Sequence, residues 1–453
     1  MFLLRRFTHA CVVLASRCLP DSFVIVAILT IFVFFIAMFS TQQSALDMMN
    51  HWGNGAWSLL GFSMQMALVL VLGQALASAK VISKFLKYLA SIPKSYFSAI
   101  IMVAILSMVA NWINWGFGLV ISAIFAKEIA KSVKGIDYRL LIATAYSGFV
   151  VWHGGLSGSI PLTLANGGET LSKTTSGVIT EAIPVSMTIF SSYNLIICAV
   201  ILVCLPALLA FIHPSKQDII EIDKKLLDEK EEVEVISHKN DHTLAEYLDR
   251  HFLISLLIGG FGFIYIISYF AKGGVLNLNI INMIFLFVGI LLHRTPISYI
   301  RAINKATKSA AGILLQFPFY AGIMGMMMGV SSNGESFAGL LSSMFASIAT
   351  KETFPLLTFI SAGIVNIFVP SGGGQWAVQA PIMMPAGLSL GVDPSVVAMA
   401  IAWGDAWTNM IQPFWALPAL AIAGLGAKDI MGYCVVTLIF VAIVVCVGFL
   451  FLK

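Results

Sequence analysis

The string FVPSGGGQW, at Phe368–Trp376, interrupts the long apolar run Phe354–Leu388 near its middle. Three consecutive glycines cost backbone entropy in a helix and favour a turn where backbone N–H groups can approach a ligand. A second long run, Tyr96–Ala126, is interrupted in the same way by NWINWGFG, which begins at Asn111. Irregular backbone at membrane depth is tolerated only where it is buried in protein or lines a cavity. The two strings therefore predict two re-entrant helical hairpins in an all-α polytopic membrane protein.

Composition supports this class. Of the 453 residues, 59% are apolar and only 11% are charged, whereas a soluble domain has about 25% charged residues. The net charge of +4 indicates no nucleic-acid partner, because the basic residues follow membrane topology. The six cysteines form no CxxC pair, so neither a metal site nor a disulfide framework is expected. We expect no cofactor and a lipid bilayer as the surrounding medium.

Seven further runs are apolar enough to approach the length of about 20 residues that a membrane helix needs. They are Phe23–Phe39, Trp57–Ala79, Met187–Ile212, Phe252–Phe270, Ile280–Leu292, Ser309–Val330 and Met431–Leu452. Two more runs, Leu140–Ala165 and Pro394–Gly426, carry Gly, Pro, Asn or Ser near the middle. These two predict helices that unwind locally.

Lys and Arg residues set the expected orientation, because they concentrate in cytoplasmic loops. They cluster at Arg5 and Arg6 and in the loops 80–94, 127–139 and 294–308. The N-terminus and these loops are therefore expected in the cytoplasm. The hairpin in Tyr96–Ala126 should then open towards the cytoplasm, and the hairpin in Phe354–Leu388 should open outwards.

The chain divides around one aqueous segment, residues 213–250, which holds 17 of the 48 charged residues. A solvated cytoplasmic linker is expected there, with a regulatory or partner-binding role left open. The predicted division is a cytoplasmic amphipathic lead-in (1–20), a first transmembrane repeat (21–212), the linker (213–250), an extra span with an outer loop (251–279), and a second, inverted repeat (280–453).

Three matches between the two halves suggest the repeat. GFSMQ at Gly61–Gln65 resembles GILLQ at Gly312–Gln316, 251 positions later. The hairpin tips that begin at Asn111 and Asn366 are 255 positions apart, and Pro161 and Pro418 are 257 apart. Matches in the same order at a nearly constant offset indicate an internal repeat. Inverted repeats are typical of secondary transporters, which bind their substrates at the repeat interface.

The two hairpin tips are the predicted substrate-binding regions. At the glycine tip, a following half-helix would present free N–H groups and a positive dipole end to an anion; a plain helix-breaking turn is the alternative. The candidate residues there are Asn366, Ser371, Gly372, Gly373, Gly374, Gln375 and Trp376. At the first tip, Asn111 and Asn114 could coordinate Na⁺, bind a carboxylate, or act as structural caps.

Asp405 is the strongest single candidate for a functional residue within the membrane, because it is the only acidic residue well inside a predicted span. An ionisable group at that depth is costly unless it is paired or lined by water, so Asp405 is predicted to bind a coupling ion, H⁺ or Na⁺; a buried structural hydrogen bond is the alternative. Asn409, one turn further on, is a neutral donor that could stabilise it and a candidate substrate ligand. Weaker candidates are His153, Ser157, Gln65, Gln316 and Gln412. Gln65 and Gln316 are expected to bond across helices.

Catalytic motifs such as HExxH, a P-loop or GxSxG are absent from the sequence, so enzymatic activity is not expected. The predicted spans also contain no Arg that could clamp a dicarboxylate. A small, singly charged anion is the expected ligand.

The chain resembles the bacterial short-chain fatty acid transporters, the acetoacetate and butyrate permeases. The resemblance covers essentially the whole chain and is carried by NWINWGFGLV, FVPSGGGQW and QPFWALPALAIAGLGAKDIMGYC. Two positions depart from the family pattern: a histidine more commonly stands in place of Gln375, and a glycine in place of His153. These departures leave the roles of those two side chains open.

The resemblance implies uptake of short-chain monocarboxylates across the bacterial inner membrane by a homodimeric carrier with an elevator-like movement. It does not identify the coupling ion. A carrier for dicarboxylates or amino acids, an anion channel, and a membrane enzyme using Asp405 and His153 are the competing hypotheses.

Overall fold

The computed structural model describes residues 22–215, 217–223, 243–369, 371–412 and 415–453. Within these ranges the chain is built from helices joined by turns. The predicted lead-in (1–20) and most of the charged linker lie outside the described residues.

Helices of the first half follow one another closely. Their bounds are α1 (Ser22–Thr41), α2 (Ala45–Ala56), α3 (Leu60–Ala77), α4 (Lys80–Ala90), α5 (Tyr96–Ile113), α6 (Trp115–Ser132), α7 (Tyr138–Ser147), α8 (Ser159–Asn166), α9 (Gly168–Thr174) and α10 (Ser192–Phe211). A 3₁₀ helix, Gly148–Gly154, follows α7 directly and leads to α8.

The second half contains the remaining helices. Their bounds are α11 (Leu244–Arg250), α12 (Phe252–Ala271), α13 (Leu278–His293), α14 (Pro296–Thr307), α15 (Ala311–Met328), α16 (Phe337–Ile348), α17 (Phe354–Phe368), α18 (Gly372–Ser389), α19 (Pro394–Thr408), α20 (Leu417–Ala423) and α21 (Ala427–Phe451). A 3₁₀ turn, Asn409–Ile411, follows α19.

Seven helical segments in the described ranges are long and apolar enough to cross a membrane. They are Leu60–Ala77, Tyr96–Ile113, Tyr138–Asn166, Ser192–Phe211, Phe252–Ala271, Ala311–Met328 and Ala427–Phe451. The prediction of an all-α polytopic protein is therefore confirmed. One predicted run begins too early: Val185–Met187 forms a separate 3₁₀ turn, and the extended backbone of Ser191 places the start of α10 at Ser192.

The same order of elements occurs in both halves. A long helix (α3 or α15) precedes a shorter one (α4 or α16), a helix–turn–helix (α5–α6 or α17–α18), a broken helix (α7–α8 or α19–α20) and a final long helix (α10 or α21). That the two series are inverted relative to each other, and that the helix pairs are re-entrant in the membrane, stay predictions.

Side-chain caps explain where the two helix–turn–helix units break. Asn114 has extended backbone, and its Oδ1 accepts the N–H of Phe117 at 2.9 Å, which starts α6. Ser371 also has extended backbone, and its Oγ accepts the N–H of Gly374 at 3.3 Å, which starts α18. A capping oxygen satisfies an N–H that the helix itself leaves free. The first break lies at Asn114, within the predicted string. The three glycines were predicted to form the second turn, but they are the first residues of α18, and the break precedes them because Ser371 caps that helix.

The described start of the charged linker is bound to the loop before α7. The N–H of Tyr138 donates to the carbonyl of Ile220 at 2.8 Å, and the N–H of Ile220 donates to Asp137 Oδ2 at 3.0 Å. Nε2 of His213 accepts the N–H of Asp137 at 3.2 Å. Residues 213–223, with Lys216 outside the described residues, therefore form a strap along this loop rather than a fully solvated segment.

Candidate functional site

The two hairpin turns and the two broken helices meet at one place. The N–H of Trp115, at the first turn, donates to Ser157 Oγ in the first broken helix at 3.0 Å. Asn366, beside the second turn, donates from Nδ2 to the carbonyl of Asp405 in the second broken helix at 2.9 Å. A Cβ on Gly372 would lie 2.6 Å from His153 Cε1, so the glycine turn also packs against the first broken helix.

At this meeting point, His153 and Asp405 form a buried pair. Nδ1 of His153 lies 3.0 Å from Oδ2 of Asp405, and both side chains are fully buried. Nε2 of His153 lies 3.2 Å from the N–H of Ile160 and 3.0 Å from the hydroxyl of Ser159. The pair therefore links the two broken helices and is held from both sides.

The surrounding donors fix the tautomer of His153. The N–H of Ile160 can only donate, so Nε2 must accept and carries no proton. A neutral imidazole then has its proton on Nδ1, which donates to Oδ2 of Asp405. His153 is thus neutral in this arrangement, and a proton or cation that neutralises the carboxylate must act at its other oxygen.

That other oxygen, Asp405 Oδ1, has no hydrogen-bond partner in the described residues, and the same is true of Asn366 Oδ1, Gln375 Oε1 and Gln412 Oε1. All four belong to buried side chains. The amide of Asn409, one turn from Asp405, is near enough to interact with the carboxylate, although its Nδ2 makes no hydrogen bond of ordinary geometry among the described residues. Asn409 Oδ1 accepts from Asn366 Nδ2 at 2.8 Å.

Backbone contacts determine which end of each amide is free. Nε2 of Gln375 donates to the carbonyl of Ala362 at 2.9 Å, and Nε2 of Gln412 donates to the carbonyl of Asn366, also at 2.9 Å. Because Asn366 donates to the Asp405 carbonyl, all three amides have their nitrogen bound to a backbone oxygen and their own oxygen free. Two of these backbone oxygens, those of Ala362 and Asn366, belong to the last two turns of α17.

Close packing explains why Gly372, Gly373 and Gly374, in the first turn of α18, are glycines. A Cβ would lie 2.6 Å from Ser159 Oγ at Gly372, 2.9 Å from the Phe62 ring at Gly373, and 2.6 Å from the Tyr320 ring at Gly374. Such approaches are too close for a real Cβ atom. The indole N–H of Trp376 donates to Thr174 Oγ1 at 2.9 Å, so this side chain is held in place within the protein.

At the first turn, Asn111 and Asn114 are fully buried. Nδ2 of Asn111 donates to the carbonyl of Ser107 at 2.9 Å, while its Oδ1 has no partner among the described residues. Asn114 acts as the cap of α6. Both predicted side chains are therefore at the meeting point, and one of the three roles considered for Asn114, the structural cap, is present in the structure.

The two glutamines of the repeat motif make different bonds. Nε2 of Gln65 donates across helices to Asn279 Oδ1 at 2.8 Å, as expected. Gln316 Oε1 accepts from the hydroxyl of Tyr320 at 3.2 Å within its own helix. Neither bond joins these glutamines to the His153–Asp405 pair.

Sequence reasoning missed two features. Tyr146, one of the buried aromatic residues of α7, donates from its hydroxyl to the carbonyl of Asn409 at 2.7 Å. His153 and Asp405 were considered separately and were not predicted as partners. Their separation of 252 positions falls within the repeat offsets of 251 to 257, but this relation marks equivalent positions and does not predict a contact, since Gln65 and Gln316 bond to other residues.

Comparisons with known proteins agree with this architecture. The family described as "Short chain fatty acid transporter" matches residues 3–452. An Escherichia coli (strain K12) protein named "Putative short-chain fatty acid transporter" is 44% identical over 434 residues, 96% of each chain. A Haemophilus influenzae protein of the same name is 45% identical over 443 residues, 96% of this chain and 97% of its own.

A solved structure shows a similar fold. The YdaH transporter of Alcanivorax borkumensis, described as having an unusual topology, aligns with a TM-score of 0.57 over 95% of this chain and 97% of that chain, at 15% identity. The family match and the two relatives cover nearly the whole chain. This chain is therefore a multi-pass membrane protein that belongs to the short chain fatty acid transporter family.

Proposed function

We propose that the protein is a secondary active transporter that carries short-chain monocarboxylates, such as butyrate and acetoacetate, across the bacterial inner membrane together with a proton or Na⁺. The single observation that carries the proposal is the buried Asp405 with one oxygen bound to a neutral histidine and the other free. An isolated carboxylate in a low-dielectric interior is costly, so it takes up a proton or a cation.

The neighbouring oxygens favour a coupling role for this group. Carbonyl and carboxylate oxygens are the ligands that hard cations prefer. Asn366, Gln375 and Gln412 each have a buried side-chain oxygen without a partner in the described residues; Asn366 is bonded to the backbone of Asp405 and Gln412 is bonded to Asn366. A proton and Na⁺ would compete for the same atom, Oδ1. Binding there neutralises the charge and lets the loaded site cross the bilayer at a lower electrostatic cost.

Family membership supports the substrate class, and the sequence adds a limit on charge. No Arg lies within the predicted apolar runs, so a second carboxylate would lack the bidentate partner that such groups prefer. A substrate with one carboxylate therefore suits this protein better than a dicarboxylate such as succinate. As part of the same proposal, the carrier is a homodimer with a cytoplasmic N-terminus, and one part of it moves across the membrane in an elevator-like manner.

Reconstituted counterflow tests the proposal against its rivals. Purified protein in liposomes loaded with unlabelled butyrate should transiently accumulate labelled butyrate, because a carrier exchanges saturably whereas a channel does not. Excess unlabelled butyrate should compete in this assay and excess succinate or an amino acid should not. Flux without counterflow would support the anion channel, and competition by succinate or an amino acid would support the other carrier class.

A further inference from the structure

Buried polar atoms without partners differ in kind between the two hairpin turns. Beside the second turn, the unpartnered atoms are mainly oxygens, as described above. At the first turn and in the 3₁₀ helix Gly148–Gly154 that packs against it they are mainly N–H donors: Asn114 Nδ2, Trp115 Nε1 and Trp152 Nε1 have no hydrogen-bond partner among the described residues. Asn111 Oδ1 is the exception, and it packs against Gly118 in the first turn of α6. Unpartnered buried polar groups are rare and require an explanation.

The identity of the free donors at the first turn is fixed by chemistry. Asn114 Oδ1 accepts the N–H of Phe117, so its free end is the NH₂ group. An indole nitrogen can only donate. The Asn114 side chain is fully buried, and Trp115 and Trp152 are each 4% exposed. These donors cannot be satisfied by bulk water in this arrangement, and all three suit an acceptor such as a carboxylate.

Aromatic rings surround the donors. The Trp115 ring centroid lies 5.8 Å from that of Trp152 and 5.0 Å from that of Trp415, edge to face in both cases. The Phe149 ring stacks on Trp152 at 5.5 Å. We call Trp115, Phe149, Trp152 and Trp415 the aromatic box. It offers an apolar surface next to N–H donors, at the positive end of the 18-residue helix α6.

We propose that the first turn binds the substrate: the carboxylate accepts hydrogen bonds from Asn114 Nδ2 and the indole N–H groups of Trp115 and Trp152, and the short alkyl chain lies within the aromatic box. This inference rests on the proposed function and assigns its two ligands to different turns. The oxygens beside the second turn would repel a carboxylate, whereas the donors of the first turn would repel a cation. The substrate carboxylate thus binds to donors of the first half and the coupling ion to Asp405 of the second half, while Trp415 of the second half completes the aromatic box.

The box also explains a limit on chain length. Rings with centroids 5.0 to 5.8 Å apart would admit few methylene groups, and one extra methylene in a tight pocket changes affinity by roughly 10- to 200-fold. Replacing Phe149 with the smaller Leu should therefore shift the preference from butyrate towards hexanoate.

Direct binding tests the assignment independently of transport. The probe is labelled butyrate, measured by equilibrium dialysis against the purified full-length protein in nanodiscs, with Na⁺ present at pH 6. Trp115→Phe and Trp152→Phe keep an aromatic six-membered ring and remove the pyrrole ring with its N–H, a loss of volume that the control below shares. Asn114→Asp keeps the capping oxygen and removes the amide donor. Each should raise the Kd of butyrate about tenfold or more, as expected for a lost hydrogen bond to a charged group.

Trp407→Phe is the matched control, because its indole N–H already donates to the carbonyl of Leu438 at 2.8 Å; its Kd should change by less than about twofold. Butyrate affinity that stays at the wild-type value in the folded, monodisperse variants would overturn the assignment while leaving the proposed function intact. If wild-type protein neither binds butyrate nor shows counterflow, the proposed function itself fails.

Discussion

Nδ1 of His153 lies 3.0 Å from Oδ2 of Asp405, although the two residues are 252 positions apart. One comes from the broken helix of each half, so the contact joins the two halves at their irregular backbone. Both are fully buried, and the N–H of Ile160 keeps the imidazole neutral. This geometry leaves a single carboxylate oxygen to take up the coupling ion.

Removing His153 should leave the carboxylate without its donor. For a buried pair, loss of one partner costs about 3–5 kcal/mol, so His153→Ala should clearly lower the thermal unfolding temperature of the purified protein at pH 8. At acid pH the loss should be smaller, because a protonated Asp405 carries no charge to compensate.

The double variant with both His153→Ala and Asp405→Asn is the control for this prediction. In an Asp405→Asn background, His153→Ala should cost much less, since no charge remains to be left unpaired. Strictly additive effects of the two substitutions would show that the pair does not stabilise the fold.

Gly372→Ala should disrupt the site through packing. Its Cβ would approach His153 Cε1 and Ser159 Oγ to 2.6 Å, and overpacking of this kind costs about 1–3 kcal/mol. The same substitution at Gly61, a helical glycine with open space around its Cβ position, should be neutral or stabilising. Thermal unfolding of both variants is the measurement, and equal stability of the two would refute the packing argument.

The strap at 213–223 should respond to pH. Burial lowers the pKa of His213, and its Nε2 accepts the N–H of Asp137, so protonation breaks this bond. The pKa of His213 is therefore lower when the strap is docked than when it is free. The contribution of His213 to docking is present above the ordinary histidine pKa of about 6.5 and is lost as the pH falls below it.

Hydrogen exchange at the amides of Tyr138 and Ile220 measures this docking. Protection, corrected for the intrinsic pH dependence of exchange, should decrease between pH 7.5 and 5.5 in the wild type. His213→Gln should remove most of that change; an unchanged pH profile in this variant would exclude His213 as the titrating group.

Membrane topology is testable by cysteine accessibility. In a background without native cysteines, Glu234→Cys should react with an impermeant reagent only from the cytoplasmic side and Lys351→Cys only from the opposite side. The expectation follows from the distribution of Lys and Arg and from the inverted repeat. Labelling of both positions from one side would disprove the proposed orientation.

The helices and their breaks could be predicted because they depend on local sequence. The length of their apolar runs predicts α3 and α12, and Asn114 and the three glycines predict that a helix is interrupted near them. The amphipathic helices α2, α4 and α14 were missed, since a search for apolar runs of membrane length does not detect short helices with one polar face. Helix α16 was missed because it is apolar but has only 12 residues.

Tertiary contacts were less predictable. The sequence places Asp405 inside a span, yet its partner, His153, comes from the other half, and the repeat offset does not predict that contact. The glycine turn was expected to approach a ligand, but the rings of Phe62 and Tyr320 already require glycines there. Which atoms of Asn366, Gln375 and Gln412 remain free depends on backbone carbonyls that no sequence pattern identifies.

Asp405→Asn in proteoliposomes tests the central claim, that cation binding at Asp405 drives monocarboxylate uptake. Asn keeps the size and an oxygen that can accept from His153 Nδ1, but it cannot titrate and carries no charge. Under an imposed proton or Na⁺ gradient, the wild type should accumulate labelled butyrate and Asp405→Asn should not. The variant should still exchange labelled for unlabelled butyrate, because that half-cycle need not release the coupling ion. Accumulation by Asp405→Asn at the wild-type level would contradict the account and place the coupling elsewhere.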